Sequence, residues 1–273
     1  MIDVCIVGVG KWGLNYLKLA DKLGINFIIA NRFNWKEIIN SKKCQGVIIT
    51  TPPDSHVEIA IESLKNNLPV MIEKPLALNS DDALKLKKYE NHAPILINHL
   101  HLFAPAYEYI CKNILPEDIV KIKSIGCNNG PYRNYSSLLD YGPHDFAMGA
   151  FLLQTNDLPE VDFFSEITNN NSKNFELNIK YFEKIPHHIT VGNAGPEKIR
   201  LFEVKTIKNN IFIYNDMSNN KLLLDNKIVT VGNISPLENS LNSFIKSFNG
   251  YIDNRFGLDI GINFLKIFEQ CKV

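Results

Sequence analysis

Residues 2–13 read I-D-V-C-I-V-G8-V-G10-K-W-G13, an aliphatic run, a turn of the form GxGxxG and the start of a helical pattern. Strand, glycine turn and helix in that order make the fingerprint of a dinucleotide-binding α/β fold. A tight turn requires Gly8, close approach of a pyrophosphate requires Gly10, and helix-to-strand packing favours Gly13. Amides at the start of the helix then face the anion, helped by the helix dipole. GxGxxG alone also fits a plain glycine turn; the strand before it and the helix after it give it weight.

Moving outward, short aliphatic runs recur at 4–7, 27–30, 47–50, 70–72 and 95–97, apolar on both sides. Strands buried on both faces of a parallel sheet have this composition. Between them lie helical patterns. Residues 12–23 place Leu14, Leu17 and Leu23 on one stripe, with Gly24 where a C-terminal cap belongs. Ser55 and Glu58 have capping-box spacing ahead of Ala60, Ile61 and Leu64, and Ser80 is placed to cap a helix through Leu86. Repeated βα units predict a doubly wound parallel sheet, the Rossmann architecture.

After about residue 116 the texture changes. A strand is expected at 119–127 and a helix at 135–153. FELNIKYF (175–182), IRLFEVKTI (199–207) and NIFIY (210–214) read as strands of an open, mainly antiparallel sheet, with loop tips at 169–171 and 219–220. Amphipathic helices at 237–248 and 258–271 close the chain. The expected organisation is an NAD(P)-binding domain at 1–115 and a shortened α+β domain for substrate binding and oligomerisation at 116–273.

Composition narrows the function classes. The chain has 273 residues, 45% hydrophobic and 21% charged, which suits a globular protein with sizeable cores. Twenty-nine basic and twenty-nine acidic residues cancel, so nothing favours a nucleic acid or a membrane surface as partner. No apolar run approaches the roughly 20 residues that span a bilayer. The first residues lack the basic region and cleavage site of a signal peptide, and the expected location is cytoplasmic. Cys5, Cys44, Cys111, Cys127 and Cys271 are scattered without a CxxC pair, which argues for reduced thiols and against a zinc site.

An acidic residue about 20 positions beyond the glycines ordinarily binds the adenosine ribose. Here the second strand ends I-A-N31-R32. No carboxylate repels a 2′-phosphate, and Arg32 can pair with one or stack on adenine, so NADP is favoured over NAD. The alternative for Arg32 is a solvated loop residue. Val9, Lys11 and Trp12 complete the turn, and Asn31 joins Arg32 beside it, as expected cofactor contacts. Thr50, Thr51, Pro52 and Pro53 follow the third strand at the sheet edge where ligands bind. His56 is expected in the next helix's first turn, either near the cofactor or exposed.

Two further segments carry chemistry. VMIEKP ends the fourth strand with Glu73, Lys74 and Pro75, expected cofactor contacts at the sheet edge, and LLDYGPHD holds Asp140 and His144. Together with the glycine turn and TTPPDSH, they make residues 1 to about 155 closely resemble the glucose–fructose oxidoreductase/inositol dehydrogenase (Gfo/Idh/MocA) family. SPLENSLNSFIKSF (235–248) is similar to the family's closing helix, while the strands between match only in type.

The resemblance implies that Lys74 lies beside the nicotinamide and the substrate hydroxyl, and that Pro75 follows a cis peptide bond. It implies that His144 is the general acid/base and Asp140 its partner. Elementary chemistry agrees: hydride removal from a secondary alcohol needs a base for the hydroxyl proton, and an ammonium stabilises the developing alkoxide. Bland alternatives stand beside these roles. Asp140 would cap a helix whose first turn holds Gly142 and Pro143, His144 would be a core histidine, and Lys74 a surface lysine. The sequence departs from the family after the fifth strand, where Arg-Phe-x-Pro is replaced by H99-L-H101-L-F103-A-P105. His99 and His101 are expected on one face of an extended segment, in a cleft-wall or structural role without a metal. His101, Tyr132, Arg133 and Tyr141 are the expected substrate contacts, Arg133 suiting a phosphate or carboxylate.

The expected activity is NAD(P)-dependent interconversion of alcohol and ketone on a sugar or nucleotide-sugar, by a homodimer or homotetramer as the family implies. The alternatives are reduction of a tetrapyrrole or imine, and cofactor sensing by a non-catalytic regulator. A sensor has no need of Lys74, Asp140 and His144.

Overall fold

In the computed structural model, which describes residues 2–169 and 172–271, β1 (Ile2–Val7) lies at the interior of a parallel sheet. Among the described residues its neighbours follow in the order β2 (Ile25–Ala30), β1, β3 (Gly46–Ile49), β4 (Val70–Glu73), β5 (Ile95–Asn98). Val4, Ile6, Ile48, Met71, Ile72 and Ile97 are fully buried, as aliphatic runs with a covered sheet on both faces should be. The exception is β2, expected to be buried on both sides. It is an edge strand, and Ile29 is 52% exposed.

The helices differ from expectation in detail. The stretch 12–23 is split into α1 (Gly13–Leu17) and α2 (Ala20–Leu23). Its buried contact is Tyr16 rather than the leucine stripe, and Leu14 is exposed. Gly24 does end α2 in the left-handed region, with φ +63°. After α3 (Trp35–Asn40) comes α4 (His56–Lys65), where Ser55 is the N-cap residue by position. Its hydroxyl turns away to Thr51 Oγ1 and Pro52 O, both at 2.8 Å, so the expected capping box is not formed. α5 (Ser80–Leu84) is capped by Asn79, not Ser80: the Asn79 side chain accepts from Asp82 N at 2.8 Å.

The chain divides into two units, Met1–Leu100 with Ser235–Ile262 and His101–Ile234 with Asn263–Val273. This differs from a single cut at 115/116. The first unit takes back α8 (Pro236–Ser247), whose Phe244 and Phe248 rings occupy the space beside Gly46. α9 (Leu258–Gln270) is divided between the units.

The second unit opens with α6 (Pro105–Asn113), β6 (Ile119–Asn129) and α7 (Ser137–Leu152). Then come β7 (Glu160–Asn169), β8 (Ser172–Tyr181), β9 (Ile185–Gly192), β10 (Ala194–Thr206), β11 (Ile211–Asn215), β12 (Leu222–Leu224) and β13 (Lys227–Ile228). Asn170 and Asn171, part of an expected loop tip, lie outside the described residues. Among the described residues the sheet order is β13-β12-β11-β10-β6-β9-β8-β7, antiparallel throughout except the β6–β9 pair. Alternate residues Phe175, Leu177, Ile179 and Tyr181 of β8 are buried, while those between them are not, giving one covered face. α7 packs on that face, with the Phe146 ring 6.5 Å from Tyr181.

Candidate functional site

In the first unit the glycine turn has the form its sequence requires. Gly8 takes φ +91°, a conformation costly for any other residue, and a Cβ there would meet Thr51 Cγ2 at 2.8 Å. A Cβ at Gly13 would meet Gly8 O at 2.5 Å, so this position is a packing contact. At Gly10 nothing lies within 4 Å, which leaves the backbone open to a ligand. Val9 is half-buried, while Lys11 and Trp12 are exposed on the turn. Thr50 Oγ1 donates to Gly8 O, tying the loop after β3 to the turn.

At the end of β2, Asn31 is engaged locally, its Oδ1 accepting from Phe33 N at 2.9 Å. Arg32 is exposed, and its guanidinium carbon lies 4.5 Å from the centre of the exposed Phe33 ring. Residues 31–34 are Asn, Arg, Phe and Asn, with no carboxylate among them. Gly8, open Gly10 and a loop without a carboxylate together fit a dinucleotide.

His56 is not exposed. Its ring is buried and spans two loops, Nε2 2.8 Å from Thr51 O and Nδ1 3.0 Å from Pro75 O. Burial lowers its pKa against the opposing pull of those carbonyls. His56 is thus a brace between the Pro52–Pro53 turn and the segment after β4. That segment carries Glu73, Lys74 and Pro75, with the Lys74–Pro75 peptide in the cis form. Glu73, expected at the cofactor, is buried against protein groups: Tyr16 donates to its Oε1, as does Asn98 Nδ2 at 2.8 Å. Lys74 is half-buried. Its charge adds to burial in holding His99, at the end of β5, down to about 3.

In the second unit α7 presents Asp140 and His144 one turn apart, and both are buried. Ser136 caps the helix, accepting from Leu138 N at 3.3 Å. Asp140 therefore lies inside the helix, as does Pro143. Arg133 Nε reaches Asp140 Oδ2 at 3.4 Å, and Tyr141 donates to Gly130 O at 2.6 Å. Tyr132 is largely exposed, its hydroxyl 3.0 Å from Ser172 Oγ. The connection from β6 to α7 thus carries Tyr132 and Arg133, and Tyr141 of α7 is tied back to it at Gly130.

His99 and His101 do not share an extended face. His101 belongs to a 3₁₀ turn, Leu100–Phe103, and its ring meets that of His144 edge to face at 5.0 Å between centroids. Among the described residues no group of three or more His, Cys, Asp or Glu side chains is arranged to hold a metal.

Asp145 was not legible in advance. It is fully buried beside His144 and pairs with Arg200 of β10. Burial drives its carboxyl upward in pKa, opposed by Arg200. The available signal was Arg200 itself, an arginine at an inward position that alternates with Phe202 and Val204.

Residues 15–98 match the profile of the Gfo/Idh/MocA "Oxidoreductase family, NAD-binding Rossmann fold". Inositol 2-dehydrogenase from Rubrobacter xylanophilus is 39% identical over 54 residues, which is 20% of this chain and only 16% of that relative. Among solved structures, a candidate oxidoreductase from Magnetospirillum magnetotacticum superposes with a TM-score of 0.87 at 21% identity, covering 99% of each chain. UDP-N-acetylglucosamine 3-dehydrogenase from Acidithiobacillus ferrooxidans does so at 0.77 and 14% identity, covering 98% of this chain and 96% of its own. At those identities the two structures establish the fold. No described helix is long and apolar enough to cross a membrane. Residues 15–98 thus carry the profile of the Gfo/Idh/MocA NAD-binding Rossmann fold, and the parallel sheet followed by a large mainly antiparallel sheet is the fold of these solved structures.

Proposed function

We propose that the protein interconverts an alcohol and a ketone on a sugar or nucleotide-sugar with NADP(H), and less well with NAD(H). The observation that carries this is the buried Asp140–His144 pair, one helical turn apart on α7. A protein that only senses cofactor has no use for such a pair. The nicotinamide, when bound, supplies or accepts the hydride. The turn of Gly8, Val9, Gly10, Lys11, Trp12 and Gly13 would hold the phosphates. Asn31 and Arg32 would meet the adenosine, Arg32 pairing with a 2′-phosphate. Thr50, Thr51, Pro52 and Pro53 wall the site, with His56 bracing them against Pro75.

His144 takes the hydroxyl proton during oxidation and returns it during reduction, while Asp140 holds the imidazole in orientation. Lys74 stabilises the alkoxide that forms as the proton leaves. Tyr132, Arg133 and Tyr141 contact the substrate, Arg133 being suited to a phosphate of a nucleotide-sugar. The nucleotide-sugar dehydrogenase among the structural neighbours and the inositol dehydrogenase among the sequence relatives support a polyhydroxylated substrate.

We further propose a homodimer or homotetramer. On the outer face of the second sheet, Leu201 stands opposite Ile125 and Ile213 opposite Leu223, all half-buried within one chain. Such an apolar row is the kind of face that self-association covers. Light scattering at micromolar concentration checks it, and a monomer would contradict it. The activity is tested by nicotinamide absorbance across a panel of nucleotide-sugars and free sugars. Tight NADPH binding with no turnover across that panel, or with turnover only on a tetrapyrrole or imine, would replace it.

A further inference from the structure

His101, Tyr214 and Asp216 form a polar line that ends on the His144 ring. His101 Nδ1 lies 3.0 Å from the Tyr214 hydroxyl, and the His101 and His144 rings cross at 88° with centroids 5.0 Å apart. Tyr214 points inward from β11 and is fully buried. The Asp216 carboxylate, just beyond the strand, acts electrostatically on that hydroxyl and on His101. A carboxylate on that side favours the protonated form of His101 over that of His144.

Other charges in this unit act on the line. Lys221 Nζ is 3.1 Å from Asp216 Oδ1, and Lys198 acts on the same carboxylate. Arg200 and Asp145 face Tyr214, and Asp140, paired with Arg133, stands one turn before His144. Burial pushes the Asp216 carboxyl up, but His101 and the two lysines outweigh it and hold it below its ordinary range.

We propose that His101 and His144 share one proton, and that Tyr214 and Asp216 bias it onto His101, so that His144 remains neutral and able to accept a proton from substrate. The proposal rests on His144 as the general acid/base and makes His101 a positioning residue rather than a substrate contact. Two imidazolium rings at this separation repel enough to split their titrations by on the order of 1–2 pH units.

The test is a histidine titration of the full-length chain, labelled with ¹⁵N at histidine and followed by long-range ¹H–¹⁵N correlation. His101→Gln should raise the His144 midpoint by about one pH unit, because the competing charge is gone. Asp216→Asn should lower the His101 midpoint and raise that of His144. Tyr214→Phe should shift the His101 Nδ1 resonance, because its hydroxyl partner is gone. Should His101→Gln not fold, Asp216→Asn on its half-buried turn carries the same comparison. A His144 midpoint that is unchanged or lowered in the folded variants overturns the proposal. Turnover of His144→Ala judges the catalytic role separately: shared protonation with undiminished turnover would leave the pairing intact and remove His144 from the chemistry.

Discussion

Tyr16, on the helix that follows the glycine turn, donates its hydroxyl to Glu73, the residue before Lys74. Asn98, at the end of β5, donates to Glu73 Oε1 at 2.8 Å and to the Tyr16 hydroxyl at 2.7 Å. Three elements that converge on the cofactor end of the sheet are thus joined through one buried carboxyl. Burial pushes that carboxyl up in pKa, and the two donors oppose the shift. Tyr16→Phe keeps the ring and removes one donor. It should cost about 1–3 kcal/mol, since a buried acceptor loses a partner. Urea unfolding of the variant measures this, and a change below a few tenths would mean that the bond contributes nothing.

The proposed preference for NADP(H) rests on Arg32, exposed at the end of β2 with no carboxylate beside it. Arg32→Ala should weaken NADPH by roughly 10- to 150-fold, the worth of a charged contact of about 1.5–3 kcal/mol. NADH should change far less. Fluorescence titration with both cofactors decides it, and equal weakening would remove the 2′-phosphate contact.

Local chemistry was legible in the sequence; side chains meeting across long separations were not. The glycine turn, the EKP segment and the DxxxH spacing each lie within a few residues, and the strands around them showed as aliphatic runs. The burial of His56 carries no sequence signal because its partners are backbone carbonyls, Thr51 O and Pro75 O. The tie between Glu73 and Tyr16 spans 57 positions and is equally silent in the sequence. Asp145 pairs with Arg200 across 55 positions, and an aspartate after a histidine announces nothing by itself. His101 and His144 met only once the turn after β5 folded as 3₁₀ rather than extended.

The buried histidines predict acid sensitivity. His187, fully buried with Nε2 2.9 Å from Ser124 Oγ, is held down to about 3 by burial and by neighbouring His188. In the unfolded chain it titrates near its ordinary 6.5. The folded state therefore binds fewer protons than the unfolded state between those values. Its contribution is complete above about pH 6.5 and is lost as pH falls toward 3. Each such group adds up to about 1.4 kcal/mol of lost stability per pH unit in that window. His187→Gln, which can still bond Ser124, should flatten the pH dependence of urea unfolding between pH 6 and 4 by about one proton. An unchanged slope would show that His187 does not remain neutral in the fold.

On the proposed mechanism, variants of Lys74 and His144 separate catalysis from cofactor sensing. Cofactor phosphates and adenosine are assigned to the Gly8–Gly13 turn and the loop after β2, so Lys74→Ala and His144→Ala should leave NADPH affinity within a few-fold. Turnover on an identified substrate should fall about 10²–10⁴-fold when the acid/base group is lost. Loss of the ammonium should cost a similar factor if it stabilises the alkoxide. The two residues come from different elements, 70 positions apart in sequence. A shared role therefore predicts that the double variant loses far less than the product of the single losses, because groups acting on one proton transfer are not independent. Near-normal turnover in either single variant would remove that residue from the mechanism. Full additivity in the double variant would mean that the two act in separate steps.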